Sequence, residues 1–354
     1  MRDSIAFLSK IKPHERTRAV TRTANETRNK NYMKTKLTIT LYFLLVCIPS
    51  ILKAQEVRLP LEVKSGHLIS EWQLNDSIQT KVMLETGFPK ILISETYALK
   101  HLKGLVKFEK APENTAVRMW GNTSKTKVSY LIKDTLHLFG QNIVIDAFVA
   151  DVSNIKSWKN QDILFPLKDL PGITEININA KYMIVDKKPE ELSENCESYE
   201  VGFDKNVKGP FFTNTLTVYD SLGSEEKLKG NFLLDLGAPN ALFVNRDIEE
   251  VEDFVTRSDR MMLKDTTKFK PNPRTKLGII MPNEFYVGNI SCKGEYIVAM
   301  KMFGGKSGKY CGIIGNRFFS HFVVAFDFEN NKVYLKPNSN KVEIKETPKR
   351  LSSK

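Results

Sequence analysis

Histidine is scarce in this chain: five in 354 residues, at His14, His67, His101, His137 and His321. None shows H-E-x-x-H spacing, so they are expected to be ordinary surface or partly buried side chains, not metal ligands. Cysteine is scarcer still, and Cys47, Cys196, Cys292 and Cys311 contain no C-x-x-C pair. No metal and no cofactor is therefore expected. In an oxidising compartment one disulfide plus one free thiol is open to Cys196, Cys292 and Cys311, with no basis in the sequence for choosing the pair. A G-x-S-x-G elbow is missing, which removes a serine hydrolase of that type. Gly304-Gly305-Lys306-Ser307 lacks the earlier glycine of a phosphate loop, because Met300 stands there, and it precedes strand-like sequence; it reads as a surface loop.

The formal charge of +12 raises a nucleic-acid partner, but its distribution argues against one. Residues 1–54 hold 11 Lys and Arg against 3 Asp and Glu, which leaves +4 for the remaining 300 residues. Met33-Lys34-Thr35-Lys36 is a basic start, Leu37 to Leu52 is a nearly unbroken apolar run of 16 residues, and Lys53-Ala54-Gln55 follows. That order reads as an export signal cleaved near Ala54-Gln55, too short for a comfortable membrane span. The expected location is periplasmic or extracellular, with no membrane attachment after cleavage. The alternative is an anchor through residues 37–52. Lipidation of Cys47 is disfavoured because Val46 is larger than the small residue such processing prefers. Residues 1–32 are Arg-rich and aperiodic, and a start at Met33 accounts for them.

What the chain does have is a repeat. Lys81-Val-Met-Leu-Glu-Thr-Gly-Phe-Pro-Lys-Ile-Leu-Ile-Ser94 lies over Asn231-Phe-Leu-Leu-Asp-Leu-Gly-Ala-Pro-Asn-Ala-Leu-Phe-Val244 at an offset of 150. Leu84, Gly87, Pro89 and Leu92 recur as Leu234, Gly237, Pro239 and Leu242, with an acid at both Glu85 and Asp235. Ile163-Leu164 and Ile313-Ile314 share the same offset. Leu138-Phe139-Gly140 with Phe148–Ala150 recurs as Tyr286-Val287-Gly288 with Ile297–Ala299, and Ala180–Ile184 as Asn331–Leu335. Four segments in one order imply duplication.

Short runs rich in Val, Ile, Phe and Tyr, punctuated by Gly, Pro, Asn and Asp, read as strands. Examples are Val57–Val63, Lys81–Glu85, Ile143–Ala150, Phe211–Val218, Phe232–Asp235, Tyr296–Lys301, Phe322–Phe328 and Lys332–Lys336. Helical periodicity is confined to Glu95–Leu102, Ile248–Val255 and Arg317–His321. The expected fold is all-β, with one barrel-like lobe in each half. After the leader, residues 59–187 form the first lobe, 188–198 a charged linker, 199–338 the second lobe and 339–354 a disordered tail.

The strand–Asp235-Leu236-Gly237-Ala238 segment, followed by Ile313-Ile314-Gly315 and the strand Phe322–Phe328, resembles one lobe of the pepsin and retropepsin aspartic peptidases. The resemblance spans residues 59–338. It implies two acid-protease-like lobes whose loops each place one carboxylate in the cleft between them. Two such groups at hydrogen-bond distance cannot both ionise cheaply, so they share a proton and titrate as a unit. The ionised member activates water and the protonated one donates to the peptide carbonyl oxygen. Glycine after the acid lets the backbones approach, a hydroxyl between them bonds to the opposite loop, and a hydrophobic-hydrophobic-Gly segment braces each loop.

On that pattern the second lobe keeps Asp235, Gly237, Ala238 and the brace Ile313-Ile314-Gly315, but Leu236 takes the hydroxyl's place and reads as core filling. The first lobe keeps Thr86 and Gly87; Glu85 replaces aspartate, Phe88 replaces a small residue and Phe165 the brace glycine. An extra methylene shifts a carboxyl group by roughly 1.5 Å, and about 1 Å of misplacement can cost on the order of 10²-fold in rate. Trp120-Gly121 is a candidate flap over the cleft. The expected function is peptide-bond hydrolysis by Glu85 and Asp235 in a monomer acting on peptides or proteins. The alternative is an impaired pseudo-peptidase that binds a peptide or envelope partner. A homodimer pairing two Asp235 loops is made unnecessary by the first lobe.

Overall fold

The computed structural model describes residues 57–117, 125–155, 158, 160–192, 195–203, 209–264, 276–301, 310–338 and 342–344. The segment expected to be an export signal, Trp120-Gly121 and Gly304–Ser307 lie outside them. In the first half the strands are β1 (Val57–Lys64), β2 (His67–Leu74), β3 (Ile78–Glu85), β4 (Ile91–Ser94), β5 (Phe108–Lys110), β6 (Ala116–Val117), β7 (Thr126–Leu138), β8 (Gln141–Ala150), β9 (Ile163–Pro166), β10 (Ile173–Asn177) and β11 (Tyr182–Lys187). The second half has β12 (Glu197–Glu200), β13 (Gly202–Phe203), β14 (Pro210–Tyr219), β15 (Glu225–Asp235), β16 (Leu242–Asn245), β17 (Gly278–Ile280), β18 (Glu284–Val287), β19 (Ile290–Lys293), β20 (Ile297–Met300), β21 (Gly312–Gly315), β22 (Phe322–Asp327), β23 (Lys332–Pro337) and β24 (Val342–Ile344). Among the described residues helix is confined to α1 (Glu95–Tyr97), which widens into a turn over Ala98–Leu102, α2 (Glu249–Arg257) and α3 (Asn316–Phe319), with a few single turns. The all-β expectation is met, and the helical segments fall where periodicity placed them. None of the described helices is long and apolar enough to cross a membrane.

Local chemistry sets the hairpins. Ser65 and Gly66 have φ of 52° and 84°, and Asn75 and Asp76 have 47° and 61°. Two successive residues with positive φ make the tight turn whose twist matches paired strands, which Gly, Asn and Asp tolerate best. Along β7 and β8 alternate residues such as Ile132, Leu136, Ile145 and Ala147 are buried, as a sheet with one covered face requires.

The two halves repeat the same unusual pairing. β3 lies parallel to β9, β9 antiparallel to β4, and β4 parallel to β8. In the second half β15 lies parallel to β21, β21 antiparallel to β16, and β16 parallel to β20. The hairpins β10–β11 and β22–β23 meet through β10 and β22, where Glu175 pairs with Ala325 and the flanking pairs are Thr174 with Phe326 and Ile176 with Val324. Residues 175 and 325 are 150 apart, so this register is that of a local twofold axis relating the halves. Lys181 and Asn331, at the same offset, both turn with positive φ, 56° and 54°.

The structure corrects the repeat in detail. Leu234 pairs with Ile314 and Asp235 with Gly315, whereas Leu84 pairs with Phe165 and Glu85 with Pro166. The counterpart of Gly315 is therefore Pro166, not Phe165, which is a core residue edge-on to Trp72 at 5.0 Å. The offset of Leu92 and Leu242 is likewise false. Leu92 packs with Met83 and Leu164 in a cluster outside the barrel, and Leu242 packs inside with Leu234 and Ile314. Five residues separate Glu85 from β4 and six separate Asp235 from β16, so identity at one offset misreads the facing of the strand that follows the loop. A second correction concerns the segment 339–354, expected to lack structure: Val342–Ile344 pairs with β19. An exposed strand edge offers unpaired backbone groups, and a Val-Glu-Ile run can use them. The charged linker is shorter than expected, since β12 begins at Glu197 and pairs with β23.

Candidate active site

Glu85 ends β3 and Asp235 ends β15, and each acid is followed by a sharp loop into the next strand. The Glu85 carboxylate oxygen Oε1 accepts from the backbone N–H groups of Thr86 and Gly87 at 2.9 and 3.0 Å. Asp235 Oδ1 accepts from Gly237 N at 2.7 Å. The two carboxyl groups approach each other across the seam at Gly237. Gly237 is what permits this approach: a β-carbon there would overlap Glu85 Oε2 and come within 3.0 Å of Asp235 Oδ1. The longer side chain of Glu85 thus reaches over the opposite loop.

Thr86 is 1% exposed and spans the seam with both capacities of its hydroxyl. It donates to the carbonyl of Leu234 at 2.7 Å and accepts from the N–H of Leu236 at 3.0 Å. The bond expected of a hydroxyl at this place is therefore made from the first half only. Leu236, fully buried in the shared core, fills space and makes no return bond through its side chain. Ala238 packs with Leu233, Tyr310 and Ile313, and Phe88 with Met83 and Leu164.

Behind the second loop, Ile313 and Ile314 are buried and Gly315 N donates to Ala241 O at 3.0 Å. The next residue, Asn316, was not anticipated. Its backbone N–H donates to Ala238 O at 2.8 Å, and its side-chain amide reaches Leu236 O at 3.5 Å and the carbonyl of Gly66 in the first half. Its position directly after the brace glycine was the only sequence signal. Arg317 and His321 hold this corner by bonding the two oxygens of buried Glu295, at 2.5 and 3.0 Å.

Burial, then the charge of Asp235 and the bond with it, pushes the Glu85 carboxyl well above the usual carboxylate range, against the pull of the Gly87 and Thr86 amides. Below the ordinary glutamate value, about 4.3, folded and unfolded chains both carry this proton. Between that value and the raised one only the unfolded chain ionises, so stability falls as pH rises through the window. Glu85→Gln removes the slope. The variant should be more stable than the parent near neutral pH, with the difference shrinking as pH approaches the ordinary glutamate value. Denaturant midpoints across that range check it.

Comparison with known proteins gives little beyond this geometry. No family model matches this chain. No curated protein matches it either. Among solved structures, basic 7S globulin from soybean is similar to it at 11% identity, over 79% of this chain and 94% of that chain, with a TM-score of 0.46.

Proposed function

We propose that this chain is an exported aspartyl-protease-type hydrolase that cuts peptide bonds between its two halves. The supporting observation is the approach of the Glu85 and Asp235 carboxyl groups at Gly237, with Thr86 tying the two loops together. Such a pair carries one proton, and burial favours its residence on Glu85. Asp235 takes a proton from water, whose oxygen attacks the carbonyl carbon of the substrate. Glu85 donates its proton to the carbonyl oxygen, giving a neutral tetrahedral diol. On collapse Asp235 returns its proton to the leaving nitrogen, the C–N bond breaks, and Glu85 recovers a proton from the diol. No metal or organic cofactor enters this scheme. The protein works as a monomer on peptides or proteins outside the cytoplasm, an assignment that rests on the leader sequence.

A second reading, in which the cleft binds a peptide without cutting it, is favoured by one observation. Leu236 leaves the second loop without a hydroxyl to return the bond made by Thr86. A peptide carrying a secondary alcohol in place of the scissile carbonyl separates the two. As a mimic of the tetrahedral species it should raise the melting temperature of an assembled pair, most strongly at acidic pH, by several degrees at saturation. Stabilisation by an all-amide peptide of the same sequence that equals that of the alcohol would establish the binding-only reading.

A further inference from the structure

His67 was set aside in the sequence because nothing surrounds it there that suggests chemistry. In the fold it opens β2 directly after the Ser65-Gly66 turn, and that turn crosses the seam. The Gly66 carbonyl accepts from Asn316 Nδ2 of the second half. A β-carbon on Gly66 would fall 2.5 Å from Cβ of Pro239, in the loop that follows Asp235. The twofold relation fixes where the next side chain goes. Ile69 pairs with Met83 and Phe211 with Leu233, and Met83 and Leu233 each stand two residues before an acid. His67 and Gly209, each two residues before those partners, therefore occupy matching places. A β-carbon on Gly209 would lie 3.1 Å from Gly87 Cα and 3.5 Å from Thr86 O, on the opposite half's acid loop. By the same relation the side chain of His67 is directed from the first half toward the loop of Gly237 and Asp235.

We propose that His67 is a positioning residue of the carboxylate pair, its imidazolium holding the negative charge on Asp235 and so leaving the shared proton on Glu85. This rests on the reading of the pair given above. Asp235, at the end of β15, is the charged group that acts on the ring, and Glu85 stands opposite it at the end of β3. Lys64, cross-strand from His67 on β1, is engaged by Glu62 at 2.5 Å, and α3 presents the neutral Asn316. Burial holds the His67 imidazole below its ordinary value and the charge of Asp235 offsets this only in part, so the ring is a cation on the acid side of neutrality. That opposition is what a cation held at a desolvated cleft experiences. Gly209 at the matching place offers Glu85 no such partner. The asymmetry between the halves thus gives the two acids different work: Asp235 the base, Glu85 the donor.

The test is the titration of the His67 ring by proton NMR, assigned by the loss of its signal in His67→Gln. In the mature protein carrying Asp235→Asn, which preserves the shape of the loop and an acceptor for Gly237 N, the His67 midpoint should fall by about half a pH unit or more. A smaller change, or none, overturns the inference. Because the titration needs no turnover, it fails or succeeds separately from peptide cleavage. If the protein cleaves peptides, His67→Gln should in addition narrow the pH–rate profile from its acid side, by shifting the acid limb upward. An unmoved limb would equally count against the proposal, whereas Lys64→Gln serves as a nearby charge change that should leave it in place.

Discussion

Asp235→Asn should lose peptide cleavage at acidic pH by a factor on the order of 10²–10⁴, the range that one positioned proton-transfer group contributes. The amide cannot accept a proton from water at the pH of the assay, so the attacking oxygen stays a weak nucleophile. Its side-chain oxygen can still accept from Gly237 N, the 2.7 Å bond that shapes the loop, so the loss is chemical and not a loss of fold. The mutation also frees Glu85 from a neighbouring charge that raises its proton affinity, which leaves one buried carboxyl where a coupled pair stood. Rates for both proteins on a peptide library, with melting curves alongside, decide the matter. Equal cleavage by the two would remove Asp235 from the mechanism.

Gly315→Ala should be the most damaging methyl group that can be added near the site. The new β-carbon would overlap the carbonyl oxygen of Asn240 and sit 2.5 Å from that of Ala238. Both are backbone atoms, and neither is free to retreat. Ala238 O accepts from Asn316 N at 2.8 Å, and Gly315 N itself donates to Ala241 O at 3.0 Å. Relief requires the loop after Asp235 to move away from its brace, which costs about 3 kcal/mol through overpacking and strained hydrogen bonds. For a chain of this size that is a fall in Tm of roughly 5 °C, accompanied by loss of activity as the Asp235 carboxyl shifts. The equivalent place in the first half already carries the ring of Pro166, cross-strand from Glu85. Unchanged melting of Gly315→Ala would mean that the loop does not rest on its brace.

The residues by themselves determined a good deal. Alternating apolar runs and turn residues gave the strands, since those patterns act over a few neighbours. The doubled acid–x–Gly segment marked two equivalent loops, because duplication preserves order along the chain. Thr86 and Leu236 could be assigned opposite roles from polarity alone: one hydroxyl that must find partners, one side chain that must leave water. Distances along the chain could not do the rest. That Pro166 and not Phe165 replaces the brace glycine depends on spacing, since Pro166 lies 81 residues after Glu85 and Gly315 lies 80 after Asp235, and a single-residue slip inverts which face a strand shows to the core. Edge capture by Val342–Ile344 depends on where an unpaired strand happens to stand. His67 gained significance only when the Ser65-Gly66 turn was carried across the seam to Pro239, 173 residues away in the chain. Side-chain chemistry is fixed residue by residue, whereas a titratable site is made by which desolvated groups the closed halves bring within a few ångströms of one another.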